Sequence, residues 1–282
     1  MTIAVTGAAG HLGRLAIRKL KKNVPETGIV ALVRNPAKAA DLGVAVREAD
    51  YSKPETLAKA LAGVDRLLLI SSSEVGKRIA QHRNVIEAAK NAGVKLIVYT
   101  SVLHADAVTL DVTAEDRATE AELKTAGVAY VILRNGYYTE NYTVSIGGAL
   151  ASGVYIGCVG DGRISLAPRE DYAEAAAAVL TGEGHAGKVY ELAGDEGYTL
   201  ADLAAELSKQ VGRNIPYKNL SEADFIKVLV GVGLPEHLAA AYAGLDISAS
   251  EGAMFDDSRQ LSKLIGRPTT PLAASIAAAL KH

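Results

Sequence analysis

The chain has 282 residues, with 30 Lys+Arg against 32 Asp+Glu, and 49% of it is apolar. At about 150 residues per domain this length allows one large domain or two packed lobes, and a net charge of −2 without a local basic run gives no pull toward nucleic acid or anionic membranes. A single cysteine excludes an internal disulfide, and Met1-Thr2-Ile3-Ala4-Val5 reads as a strand rather than a signal peptide, so the expected compartment is a reducing cytoplasm.

Runs rich in Val, Ile and Leu at 3–6, 29–33, 44–48, 67–70, 96–100 and 130–133 predict strands. Stretches of helical period separate them, as at 12–22 and 79–92. The strand runs are nearly continuous in apolar residues, which is the pattern of a parallel sheet covered by helices on both faces. Gly93 and Gly127 each stand where a helix should stop and a strand begin. Beyond Arg134 come a Gly- and Tyr-rich connection, a helix near 171–180, a strand near 189–192 and a helical third from about 200 to 282. The uncharged stretch 141–160 is long enough to cross a bilayer, but its five glycines and its polar side chains argue against that.

The expected class is therefore α/β, a doubly wound parallel-sheet Rossmann domain with a smaller, mostly helical C-terminal lobe. Residues 1–136 are assigned to a dinucleotide-binding domain, with 150–195 completing its sheet. Residues 137–149 and 196–282 are assigned to a smaller substrate-binding lobe.

The first strand runs into Thr6-Gly7-Ala8-Ala9-Gly10-His11-Leu12-Gly13 and then into an amphipathic helix. Glycines spaced G-x-x-G-x-x-G at a first βα junction let the chain turn sharply, approach a diphosphate and present the helix N-terminus to it. The second strand ends in Val33-Arg34-Asn35, where a carboxylate suits the ribose hydroxyl of NAD and an arginine suits the 2′-phosphate of NADP. Arg34 thus points to NADPH. Asp50 and Tyr51 are expected to flank the adenine, and Ser71, Ser72 and Ser73 to line the ribose and nicotinamide.

These segments, together with Leu133-Arg134-Asn135-Gly136-Tyr137-Tyr138-Thr139-Glu140-Asn141-Tyr142, resemble the NmrA-like branch of the atypical short-chain dehydrogenase/reductases. Within it the chain is most similar to bacterial NADPH-dependent quinone oxidoreductases, with triphenylmethane-dye reductases as close relatives. The resemblance spans nearly the whole chain and implies an NADP-binding Rossmann domain and reduction of a quinone to a hydroquinone by two-electron hydride transfer.

The larger superfamily pairs a catalytic Tyr with a Lys four residues later, and none of the twelve tyrosines here has one. That argues against ordinary ketone reduction, in which a developing alkoxide needs a placed acid. A reduced quinone spreads its charge over the ring, so positioning can carry most of the catalysis. The same absence would suit an NADP(H)-binding redox sensor without turnover, which stands as an alternative beside reduction of triphenylmethane dyes.

Asn135, Gly136, Tyr137 and Tyr138 follow the sixth strand at the edge where the nicotinamide should reach. Asn135 and Gly136 are expected against the ring, Tyr137 and Tyr138 as an aromatic wall, and Asn141, Tyr142 and Arg169 toward the substrate. His104, after the fifth strand, is the imidazole best placed to supply a proton. The other histidines, His11, His82, His185, His237 and His282, show no zinc spacing, and no metal is expected. Cys158, in an apolar stretch, reads as a small buried hydrophobe rather than a nucleophile. A small aromatic acceptor is the expected partner, without nucleic acid or membrane, and with a homodimer as a further expectation.

Overall fold

A computed structural model of the protein describes residues 1–107 and 111–281. In chain order the elements are β1 (Ile3–Val5), α1 (His11–Leu20), β2 (Ile29–Val33), β3 (Ala45–Glu48), α2 (Pro54–Ala60), β4 (Arg66–Ile70), α3 (Arg78–Asn91), β5 (Leu96–Val102), α4 (Asp111–Thr125) and β6 (Ala129–Asn135). They continue with α5 (Glu140–Thr143), α6 (Ile146–Ser152), β7 (Tyr155–Gly157), α7 (Arg169–Thr181), β8 (Val189–Leu192), α8 (Leu200–Val211), β9 (Tyr217–Asn219), α9 (Glu222–Gly231), α10 (Glu236–Ser250), α11 (Gln260–Ile265) and α12 (Leu272–Ala279).

Seven parallel strands form one sheet in the order β3-β2-β1-β4-β5-β6-β8, which is the doubly wound arrangement expected from the continuous apolar runs. Ala4, Leu32, Leu69 and Ile97 pack on one face with Leu57 of α2, Val85 of α3 and Leu123 of α4. Alternate strand positions point the other way, where α1 lies against α7 and both contact the sheet. That contact includes a buried cation: Lys19 of α1 lies 2.7 Å from Glu170 and 2.5 Å from Glu174 of α7. Because β1 has β2 on one side and β4 on the other, the strand order reverses there and the carboxyl ends of β1 and β4 open a crevice.

The chain divides into two compact units. The first holds residues 1–135, 169–192 and 263–266, and the second holds 136–168, 193–262 and 267–282. The span 150–195 therefore does not complete the main sheet as a block: only α7 and β8 join it. The free edge of β6 is taken by β8, and β7 instead pairs in parallel with β9, Tyr155 standing opposite Tyr217.

The second unit has its own core, in which Tyr155, Val159, Ile164, Leu203, Leu207 and Ile276 are buried together. A buried carboxylate organises one side of it. Asp246 of α10 accepts the Tyr142 hydroxyl at 2.9 Å and the Cys158 backbone N–H at 3.1 Å. Burial, reinforced by Asp246, pushes the Cys158 thiol up to about 12. Among the described residues no helix is long and apolar enough to cross a membrane.

In the first unit Arg134, at the carboxyl end of β6, is buried and fully engaged. Its guanidinium meets Glu120 of α4 through Nε at 2.9 Å and Nη2 at 2.7 Å, and Glu191 of β8 through Nη1 at 2.7 Å. Replacing it leaves Glu120 a buried charge with the more distant Lys124 ammonium, 3.9 Å away, in place of the guanidinium, which costs more than the pair contributes. Arg134→Ala is expected to lower the unfolding free energy by about 3–5 kcal/mol in a denaturant titration.

Candidate active site

The glycine turn is built on close backbone approach. Gly7 adopts φ +58°, a left-handed conformation open to glycine, and its carbonyl accepts the Gly10 N–H at 2.9 Å. A Cβ at Gly13 would stand 2.4 Å from Gly7 O and 2.7 Å from Ala8 Cα, both of them backbone atoms that cannot yield. The first turn of α1 carries no acidic residue and its N-cap, Gly10, makes no side-chain cap. Its N–H groups and the positive end of its dipole are thus left to an anion.

A cleft of about 580 Å³ opens from this turn. Its walls come from the carboxyl ends of four neighbouring strands: Gly7, Ala9 and Gly10 after β1, Arg34 and Asn35 after β2, Asp50 and Tyr51 after β3, and Ser71–Glu74 after β4. Asn35 starts a short 3-10 turn by accepting the Ala37 N–H at 3.1 Å, and the turn brings Lys38 to the rim. Arg34 and Lys38 make this rim cationic, with Glu74 2.8 Å from Arg34 Nη1. Tyr51 is anchored, its hydroxyl 2.5 Å from Thr6 Oγ1 and 2.8 Å from Ile70 O, and burial raises its pKa. The arrangement suits a diphosphate at α1 and a further phosphate beside Arg34.

The loop after β4 is held from behind by buried polar groups. Glu115 of α4 accepts the Gly76 N–H at 2.8 Å and the Arg78 N–H at 3.0 Å. Asp116, fully buried, accepts the Tyr99 hydroxyl at 2.6 Å and pairs with Arg78 at 3.2 Å. The Ser72 N–H donates to His82 Nε2 at 2.9 Å, which places the imidazole proton on Nδ1, 2.9 Å from Thr119 Oγ1. Burial, with help from Arg78, lowers the His82 pKa from 6.5 to about 4, so the ring is neutral near pH 7.

A family pattern described as NAD(P)H-binding matches residues 7–183, the span that contains the cleft. The chain belongs to this NAD(P)H-binding family. It is 57% identical to Quinone oxidoreductase 2 of Escherichia coli (strain K12), over 97% of each chain. The crystal structure of an Escherichia coli NADPH-dependent quinone oxidoreductase complexed with NADPH is similar at a TM-score of 0.96 and 56% identity, covering 99% of this chain and 100% of that one. The triphenylmethane reductase of Citrobacter sp. complexed with NADP(H) is similar at a TM-score of 0.95 and 38% identity, covering 99% of this chain and 100% of that one. The resemblance carried by the sequence motifs is borne out by these matches.

Within the family frame, Gly7, Ala9, Gly10, Arg34, Asp50, Tyr51, Ser71, Ser72 and Ser73 come together in the one cleft. Of the expected contacts, five in the glycine turn do not line it, and neither do Asn135, Gly136 and Tyr137. Thr6 is buried, its hydroxyl donating to Leu68 O at 3.1 Å and accepting the Ile70 N–H at 2.9 Å. Ala8 is buried with its N–H on Leu32 O, Leu12 and Gly13 are buried in α1, and His11 is exposed at the start of that helix. These residues shape the turn.

His104 follows β5 with φ +53°, an uncommon conformation outside glycine, and its backbone N–H is held by Glu191 at 2.9 Å. Asn135 ends β6 and is buried, its carbonyl accepting the Leu103 N–H. Arg169 opens α7, half-buried. In the second unit Gly136, Tyr137, Tyr138 and Asn141 are half-buried, with the Tyr137 ring 5.2 Å from that of Tyr142. Tyr142 itself, expected toward the substrate, is instead a core residue whose hydroxyl is taken by Asp246.

Lys38, Glu74 and Gln81 also line the cleft and were not anticipated. Asn35-Pro36, a turn-starting pair, was the signal for Lys38.

Gly13→Ala is expected to cost about 1–3 kcal/mol of stability, as overpacking against rigid backbone does, read as a lowered thermal midpoint. A second outcome follows from His82. As the pH falls from 6.5 to about 4, the unfolded chain takes up a proton that the folded chain refuses, so stability is lost across that window. Denaturant titrations above and within the window are expected to show a smaller loss on acidification for His82→Gln than for the unaltered protein.

Proposed function

We propose that this protein reduces quinones to hydroquinones with NADPH, by direct two-electron hydride transfer. The observation that carries this reading is the glycine cradle with Arg34 at its rim, in a chain 57% identical to an Escherichia coli quinone oxidoreductase over nearly its whole length. The cofactor is NADPH. When bound, it supplies a hydride from C4 of its nicotinamide ring.

The residues present fit that group. The exposed N–H groups of the uncapped α1 N-terminus, reached over Gly7, Ala9 and Gly10, hold the diphosphate. Arg34, with Lys38 beside it, grips the 2′-phosphate. Asp50 and Tyr51 bound the adenosine side, and Ser71, Ser72 and Ser73 the ribose side. Thr6 and Ala8 act on the turn, whereas His11, Leu12 and Gly13 contribute the first-turn backbone N–H groups of α1.

Asn135 at the end of β6 and Gly136, Tyr137 and Tyr138 directly after it form the segment that orients the nicotinamide and an aromatic acceptor. Tyr138, Asn141 and Arg169 are kept toward the acceptor, while Tyr142 is not, since its hydroxyl is committed elsewhere. His104 is the proposed proton source. A quinone needs little more than this, because the charge it gains is delocalised and a weak donor or water completes the reaction.

The near-neutral charge and lone cysteine support a cytoplasmic enzyme that acts on a small molecule without nucleic acid. Val230, Val232, Leu238 and Tyr242, left exposed on and beside α9 and α10, support a homodimer. The likeness to the Citrobacter reductase supports triphenylmethane dyes as a second class of acceptor.

Pure protein mixed with NADPH and a soluble benzoquinone is expected to consume the reduced nicotinamide faster than the uncatalysed mixture, followed by its absorbance. No acceleration would end the reading. Arg34→Ala is expected to raise the KM for NADPH several-fold or more while leaving kcat and the KM for NADH nearly unchanged, the pattern of a lost uniform binding contact.

A further inference from the structure

Glu74 stands in the cleft beside the arginine assigned to the 2′-phosphate, and none of the roles above uses it. It follows the Ser71-Ser72-Ser73 turn, and its backbone N–H donates to Ser72 Oγ at 3.1 Å. Its Oε1 lies 2.8 Å from Arg34 Nη1, and its Oε2 lies 3.3 Å from Lys77 Nζ. The Lys77 ammonium holds the Glu74 carboxyl below its ordinary pKa, so it is an anion near pH 7. The Arg34 side chain is 67% exposed and that of Glu74 33%. The pair is therefore accessible to a solute entering the cleft.

A phosphate and a carboxylate ask for the same thing from a guanidinium, two N–H donors in a plane. Glu74 already occupies one of them. We propose that Glu74 is a specificity-determining residue that competes with the 2′-phosphate for Arg34, so that NADPH enters by displacing an internal carboxylate. The inference rests on the reading of Arg34 given above. NADH carries no 2′-phosphate and leaves the Arg34–Glu74 pair intact, so the competition weakens NADPH selectively. Lys77 keeps the other carboxylate oxygen, which gives the displaced Glu74 a counterion. The arrangement trades affinity for exchange, as suits an enzyme that must release its oxidised cofactor in every cycle.

Binding of NADPH and of NADH is measured by calorimetry, without quinone, for the unaltered protein, Glu74→Gln, Arg34→Gln and the double variant. Because an exposed ion pair is weak, Glu74→Gln is expected to tighten NADPH by a modest factor, about 1.4- to 5-fold, and to leave NADH nearly unchanged. In the Arg34→Gln background the gain disappears. Unchanged or weakened NADPH binding, equal tightening of NADH, or a gain that persists in full without Arg34 each overturns the proposal. If Arg34→Gln erodes the preference for NADPH while Glu74→Gln alters nothing, only this inference falls. If Arg34→Gln leaves the preference untouched, the reading of Arg34 falls and takes the inference with it. Both side chains are solvent-accessible, and matched circular dichroism spectra verify that the variants fold.

Discussion

Where α1 leaves β1, the helix comes so close to the turn that any side-chain carbon at Gly13 would lie 2.4 Å from the Gly7 carbonyl oxygen. This approach sets the direction of the helix axis, and with it the place where the unpaired N–H groups of the first turn point. It also brings Gly7, Ala9 and Gly10 to the wall of the cleft, so that the chain there is built of glycine and alanine with little side chain between backbone and cleft. The reversal of strand order around β1 supplies the space, and the glycines let an anion use it.

The opposite wall is fixed by different physics. The loop after β4 is tied by hydrogen bonds to buried groups: a neutral imidazole at His82, an Arg78-paired Asp116 and a Glu115 that takes two backbone N–H groups. Such a network holds its geometry only while every member is satisfied. It presents Ser71, Ser72 and Glu74 to the cleft as a preformed edge, against which the more exposed Arg34 and Lys38 remain free to adjust to a charged ligand.

Much of this was legible in the chain before folding, for reasons that can be named. Parallel strands buried on both faces leave continuous apolar runs, so β2 matches its expected limits and most of the other predicted strands fall within a residue or two of theirs; the edge strand β8, only partly buried, also matches. The glycine spacing and Arg34 were readable because they sit at fixed places on a doubly wound sheet. Other features escaped for equally physical reasons. β7 and β9 are three residues each, too short for a period, and they pair with each other in a separate two-stranded sheet. Thr6 and Tyr142 carry hydroxyls that suit a ligand equally well on paper, and only the three-dimensional partners, Leu68 and Asp246, show those hydroxyls to be committed. Lys38 and Glu74 depend on the path of a turn, which composition alone does not specify.

The one cysteine of the chain, Cys158, lies buried with its thiol held protonated beside Asp246. Quinones are electrophiles that alkylate thiolates, and a thiol becomes a nucleophile only as it loses its proton. A lone sulfhydryl that is buried and kept protonated therefore offers such acceptors no thiolate to alkylate.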